Sequence, residues 1–192
     1  MVPGVERRRE EWFKKLADDF DRLQETVEGF RIEILGDNET FVSAMIQATR
    51  IAIGTHNDEK RSALRNGLLN IALGRGPGED EKHIFFRYIE ELTPWHIRIL
   101  NCLMDKEAEK LFHEANQNLR TGQTSFSWRA ERLLMTFPEL ESQSVFYDQV
   151  VLDLYSRGLY LFPGLRGTMI APPHQQTEVR ARTFLAFIVS PK

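Results

Sequence analysis

Apolar residues recur three and four positions apart in one segment after another, the spacing of helices that bury one face. The first segment covers residues 6–28, with Phe13, Leu16, Phe20, Leu23 and Val27 in register and Trp12 beside them. Charged residues fill most other positions, and Gly29 stands where a left-handed stop belongs. Residues 30–35, FRIEIL, alternate apolar and charged, which fits a short strand or an extended connection before the Gly36-Asp37-Asn38 turn. Helical spacing returns over residues 39–54, with Phe41, Ala44, Met45, Ala48, Ile51 and Ala52 on one face. Thr55 and Asp58 form an approximate capping box for a further helix lined by Leu64, Leu68 and Ile71. Asn66 and Asn70 share a face of that helix.

Residues 74–80 contain three glycines. No Gly-Lys-Ser/Thr follows, so the stretch reads as a loop, not a phosphate cradle. Residues 82–92 are helical, and Thr93-Pro94 restarts the chain with an N-cap and a first-turn proline. From Pro94 the pattern reaches Leu119, as one helix or as two that break near Asp105. A polar loop with Gly122 and a short helix over residues 127–137 come next. In residues 144–162, Ser144 is placed to cap, and Tyr147, Val150, Val151 and Leu154 form one buried face. Gly158 supplies a left-handed stop, and residues 159–162 make a short apolar strand. Arg166-Gly167 signals a hairpin tip and residues 168–171 a return strand. A last helix over residues 176–189 turns Val179, Thr183, Phe184, Phe187 and Ile188 inward.

This order of three helices, a hairpin and a helix resembles a winged helix-turn-helix domain. The matching segments are LTPWHIRILNCL at 92–103, VVLDLYSRGLYLF at 150–162 and TFLAFI at 183–188. The whole chain also resembles helical bacterial proteins with an ELTPxHxxIL-style segment followed by DLxSRGL, for which there is no activity to carry over. The expected architecture is mainly α. A helical domain, residues 1–90, combines the long first helix with a helical hairpin, and a winged-helix domain with a small β-hairpin occupies residues 91–192.

Charge and composition narrow the function. Formal net charge is −3, 42% of residues are hydrophobic and 28% charged, as in an ordinary globular chain. Residues 1–90 carry 14 basic against 17 acidic side chains and residues 91–192 carry 11 of each, so neither half has a basic field. The outer face expected for residues 144–156 presents Asp148, Gln149, Leu152, Tyr155 and Ser156, joined by Arg157 and the wing Arg166. Its carboxylates repel phosphate, so this face suits a protein partner better than a DNA groove. The five histidines form no metal-ligand spacing, and Cys102 is the single cysteine. No metal, cofactor or catalytic residue is therefore expected, and no segment is long and apolar enough for a membrane span. No apolar stretch follows the basic residues of the N-terminus, so no signal peptide is expected, and the chain reads as cytoplasmic.

The leading expectation is a non-enzymatic interaction module. Trp12, Phe13, Leu16, Phe20 and Leu23 either pack on the protein's own core or meet a partner or second copy. The alternatives are a DNA-binding winged-helix regulator, and a small-molecule sensor or enzyme with a pocket near Asn66, Asn70 and His56.

Overall fold

The computed structural model describes residues 3–115, 127–161 and 175–191. It divides into two compact units, Met1–Leu92 with Ala186–Lys192, and Thr93–Leu185.

The first unit is built on α1 (Pro3–Thr26), α2 (Glu39–Gly54), α3 (Asp58–Ala72) and α4 (Glu79–Glu91). Two side-chain bonds fix α1 against α2. Arg8 Nε donates to the Ile53 carbonyl at 3.0 Å, and Trp12 Nε1 donates to Thr49 Oγ1 at 3.0 Å. The partner number falls as the α1 number rises, so the two helices run antiparallel. Further along, the Phe20 ring meets Phe41 edge-on with centroids 5.9 Å apart, and Phe30 stacks on Phe20 at 6.3 Å. An ion pair joins α1 to α3, Arg65 Nε to Asp19 Oδ2 at 2.8 Å.

Local chemistry explains the helix ends. Asn38 caps α2 by accepting from the Phe41 N–H at 3.0 Å. The cap of α3 is Asn57, which accepts from the Lys60 N–H at 2.9 Å. Thr55, expected to cap, instead accepts from the Asn57 N–H at 3.2 Å, two residues earlier in the turn. The alternating stretch at 30–35 forms neither strand nor extended link; Ile32–Leu35 is a 3₁₀ turn. Helix α4 starts inside the stretch expected to be loop. Glu79, Asp80 and Glu81 fill its first turn, where carboxylates suit the positive end of the helix.

The second unit contains α5 (Pro94–Met104), α6 (Lys106–Ala115), α7 (Ser127–Thr136), α8 (Ser144–Ser156) and α9 (Gln175–Phe187), whose last two residues belong to the first unit. The chain breaks at Asp105, whose Oδ1 accepts from the Glu107 N–H at 3.1 Å and so turns it into α6. Ser144 does not cap α8. Residues Pro138–Gln143 form a 3₁₀ turn that leads straight into the helix.

The winged-helix expectation is overturned. Among the described residues there is no strand. Gly158 adopts φ 66° as expected and closes α8. Leu159 N–H turns back to the Leu154 carbonyl at 2.9 Å, and Gly158 N–H to that of Tyr155 at 2.9 Å. This is a Schellman closure. Leu159 and Tyr160 are then buried as side chains rather than paired as a strand. The expected return strand, residues 168–171, and Arg166 lie outside the described residues, as does the loop around Gly122. Val179, expected in the core, is exposed.

Candidate functional site

Four of the five first-helix candidates belong to the core of the first unit. Trp12, Leu16, Phe20 and Leu23 are buried among α1, α2 and α3. Phe13 is 44% exposed. Its position one step round the helix from Trp12 places it at the edge of the buried stripe.

Phe13 lines the rim of an apolar groove of about 390 Å³. The wall from α1 is Phe13, Leu16, Ala17 and Phe20. The facing wall comes from α2 through Phe41, Val42, Met45 and Ile46, and the 3₁₀ turn closes one end with Ile32 and Leu35. Ile46 is 66% exposed, and nearby Ile34 projects outward as well. Large apolar side chains left in water beside a groove mark a contact surface more often than a scattered surface leucine does. Sequence reading missed Ile46, which stands one residue off the α2 core face beside Met45. It also missed the turn as a wall, because its alternation resembled a strand.

One end of this groove is acidic. The segment from Asp18 to Glu39, which closes α1, makes the turn and opens α2, holds eight carboxylates against two arginines. Asp19 is engaged by Arg65, while Asp18, Asp21, Glu25, Glu28, Glu33, Asp37 and Glu39 are exposed.

The Asn66–Asn70 pair has a different role. Asn66 Nδ2 donates to the Ile188 carbonyl at 2.8 Å. Asn70 Nδ2 donates to the carbonyls of Phe187 at 3.0 Å and Val189 at 2.9 Å. Both amides thus clamp the tail, while His56 is exposed.

In the second unit His96 is buried at the first turn of α5. Its Nδ1 accepts from the Thr93 N–H at 3.1 Å, so Nε2 carries the proton and donates to Asp153 Oδ2 at 3.3 Å. That links α5 to α8. Asp148, Gln149, Leu152, Tyr155 and Ser156 are exposed, and Arg157 is half-buried with Nη1 on the Asp153 carbonyl at 3.4 Å. Among the described residues no strand stands beside this face.

Among the described residues no group of three or more His, Cys, Asp or Glu side chains is placed to hold a metal ion. No helix among them is long and apolar enough to cross a membrane. No protein-family model, no curated protein and no solved structure is significantly similar to the chain, so neither resemblance read from the sequence has a counterpart there.

Proposed function

We propose that this protein is a non-enzymatic interaction module, and that its first unit takes up a basic amphipathic segment of a partner protein in the groove between α1 and α2. The observation that carries this is the groove itself, apolar on both walls and rimmed by exposed Phe13 and Ile46. A helix laid in such a groove inserts anchors three, four and seven residues apart, and the volume suits about two or three of them. The carboxylates at one end select the charge of the occupant. A segment with Lys or Arg beside its apolar face gains complementary contacts, while an acidic one is repelled.

The experiment is fluorescence anisotropy with two labelled amphipathic peptides of equal length, one Leu/Lys and one Leu/Glu. The Leu/Lys peptide binds, binding weakens as salt rises, and Phe13→Ser with Ile46→Ser reduces affinity about tenfold or more, the scale of losing one or two apolar anchors. Equal binding of both peptides, or no effect of the two substitutions, would sink the proposal. Light scattering on the same samples tests the other occupant, a second copy. A dimer abolished by Phe13→Ser would replace the heterologous partner.

A further inference from the structure

Helix α8 is apolar on two faces. Tyr147, Val150, Val151 and Leu154 are buried, while Val145, Phe146, Leu152 and Tyr155 are exposed. A helix packed on one side ordinarily turns charged and polar residues outward. Here the outward residues have an order of their own. Val145, Asp148, Leu152 and Tyr155 are spaced three, four and three apart, which sets them in one stripe. That is the a/d spacing by which one helix seats on another. Val145 is 84% exposed, so at its N-terminal end the stripe has almost no cover.

The base of the stripe is held in place. Phe146, one step round the helix, meets the Trp95 ring edge-on with centroids 6.5 Å apart. Gln149 Nε2 donates to Asp153 Oδ1 at 2.9 Å, and His96 reaches Oδ2 of the same carboxylate. A partner therefore meets a surface that needs little ordering on binding.

Asp148 is the one charge in the stripe, and it decides between occupants. A second copy of α8 laid antiparallel sets Asp148 against Leu152, and one laid parallel sets it against another Asp148. Either way a carboxylate leaves water without a cation, which is costly. A helix with Lys or Arg at that position satisfies it. The surroundings carry the same sign. Residues 138–156 hold four carboxylates, Glu139, Glu141, Asp148 and Asp153, and no Lys, Arg or His. Arg157, the first basic residue after them, is half-buried with Nη1 on the Asp153 carbonyl at 3.4 Å.

We propose that the outer face of α8 seats an amphipathic helix of another protein, apolar opposite Val145, Leu152 and Tyr155 and cationic opposite Asp148. It is a docking surface of the second unit, separate from the groove between α1 and α2, and it stands whether or not that groove is occupied.

The test uses the full chain carrying Phe13→Ser and Ile46→Ser, so that the groove rim is altered equally in every measurement. Two labelled helical peptides of about 21 residues, three heptads, have leucine along the seam and differ only at one central seam position, Lys in one and Glu in the other. Fluorescence anisotropy is expected to show the Lys peptide binding about tenfold or more tightly than the Glu peptide, since like charges set together oppose binding. Asp148→Lys reverses that order. Val145→Ser with Leu152→Ser weakens the Lys peptide about tenfold or more, the scale of losing one or two apolar anchors. All three positions are exposed, so the changes leave the buried face of α8 as it is. The proposal is overturned if neither peptide binds, if the two bind equally, if Asp148→Lys leaves their order unchanged, or if Val145→Ser with Leu152→Ser has no effect. Sedimentation of the unaltered chain covers the remaining occupant. A dimer abolished by Val145→Ser with Leu152→Ser would assign the face to a second copy and overturn the proposal as well.

Discussion

Asn70 sits in the middle of α3 at 6% exposure, with its side-chain amide shared among the Asn66, Phe187 and Val189 carbonyls. A buried amide is tolerated only when its donors are used, and here they satisfy carbonyls the last helix leaves open. Asn70→Ala strands those carbonyls and is expected to lower unfolding free energy by about 1–3 kcal/mol in urea titration. Asn66→Ala, losing one bond, costs less. That the two asparagines share a face is legible from their spacing. Their partners are not, because they lie more than a hundred residues away and carry no side-chain signature. A second residue-scale expectation concerns Glu178. The hydrogen bond from Arg182, with a further contribution from Lys106, holds its carboxyl below the usual glutamate value of 4.5, against a smaller opposing effect of burial. The folded state therefore binds fewer protons at this group than the unfolded chain. The stabilisation is present above the unfolded value and lost as pH falls through the folded one. Carboxyl NMR of Glu178 should show a midpoint below 4.5 that moves up in Arg182→Ala; a midpoint unmoved by that change would contradict the assigned cause.

At the scale of elements, helix existence was written in the apolar spacing, and the stops at Gly29 and Gly158 were written in glycine, which both adopt positive φ. What local pattern does not record is which neighbour an element meets. FRIEIL alternates like a strand, yet without a partner strand it coils into a 3₁₀ turn that shelters Leu35. GLYLF reads as the start of a hairpin, yet its apolar residues find burial directly. Gly67 is a third case. A glycine in mid-helix costs roughly 1 kcal/mol against alanine, but a Cβ here would lie 2.7 Å from Phe187 Cζ. That ring is wedged 5.6 Å from Phe85 and 5.4 Å from Phe86, both fully buried, so it cannot step aside. Overpacking wins over propensity. Gly67→Ala is expected to destabilise by about 1–3 kcal/mol, and adding Phe187→Leu should recover part of the loss in a double-mutant cycle. Gly54, at the end of α2 with nothing within 4 Å of a built Cβ, is the control. Gly54→Ala should be neutral or stabilise by up to about 1 kcal/mol. If Gly67→Ala behaved like Gly54→Ala, the close approach of α3 to the Phe187 ring would be wrong.

At the scale of the whole molecule, the division of the chain puts the tail with the residues farthest from it in sequence. Ala186–Lys192 groups with Met1–Leu92, and within that unit it supplies the Phe187 ring, buried Ile188 and the carbonyls held by Asn66 and Asn70. The first unit is thus incomplete without Ala186–Lys192. The magnitudes decide how much this matters. Truncating a buried Phe costs about 3–5 kcal/mol and a buried Ile about 2–5 kcal/mol, before the unmet amide donors are counted. Domains of ordinary stability have only about 5–15 kcal/mol in hand. A chain ending at Leu185 should therefore have a first unit close to its unfolding limit. Thermal unfolding followed by circular dichroism is expected to show a transition lowered by at least about 10 °C, since roughly 1 kcal/mol corresponds to several degrees in a domain of this size. Hydrogen exchange should assign the lost protection to α3 and α4, the helices bearing Gly67, Asn70, Phe85 and Phe86, ahead of α5 and α8. Unchanged protection in α3 and α4 would mean that the tail is an accessory of the first unit and not one of its core elements.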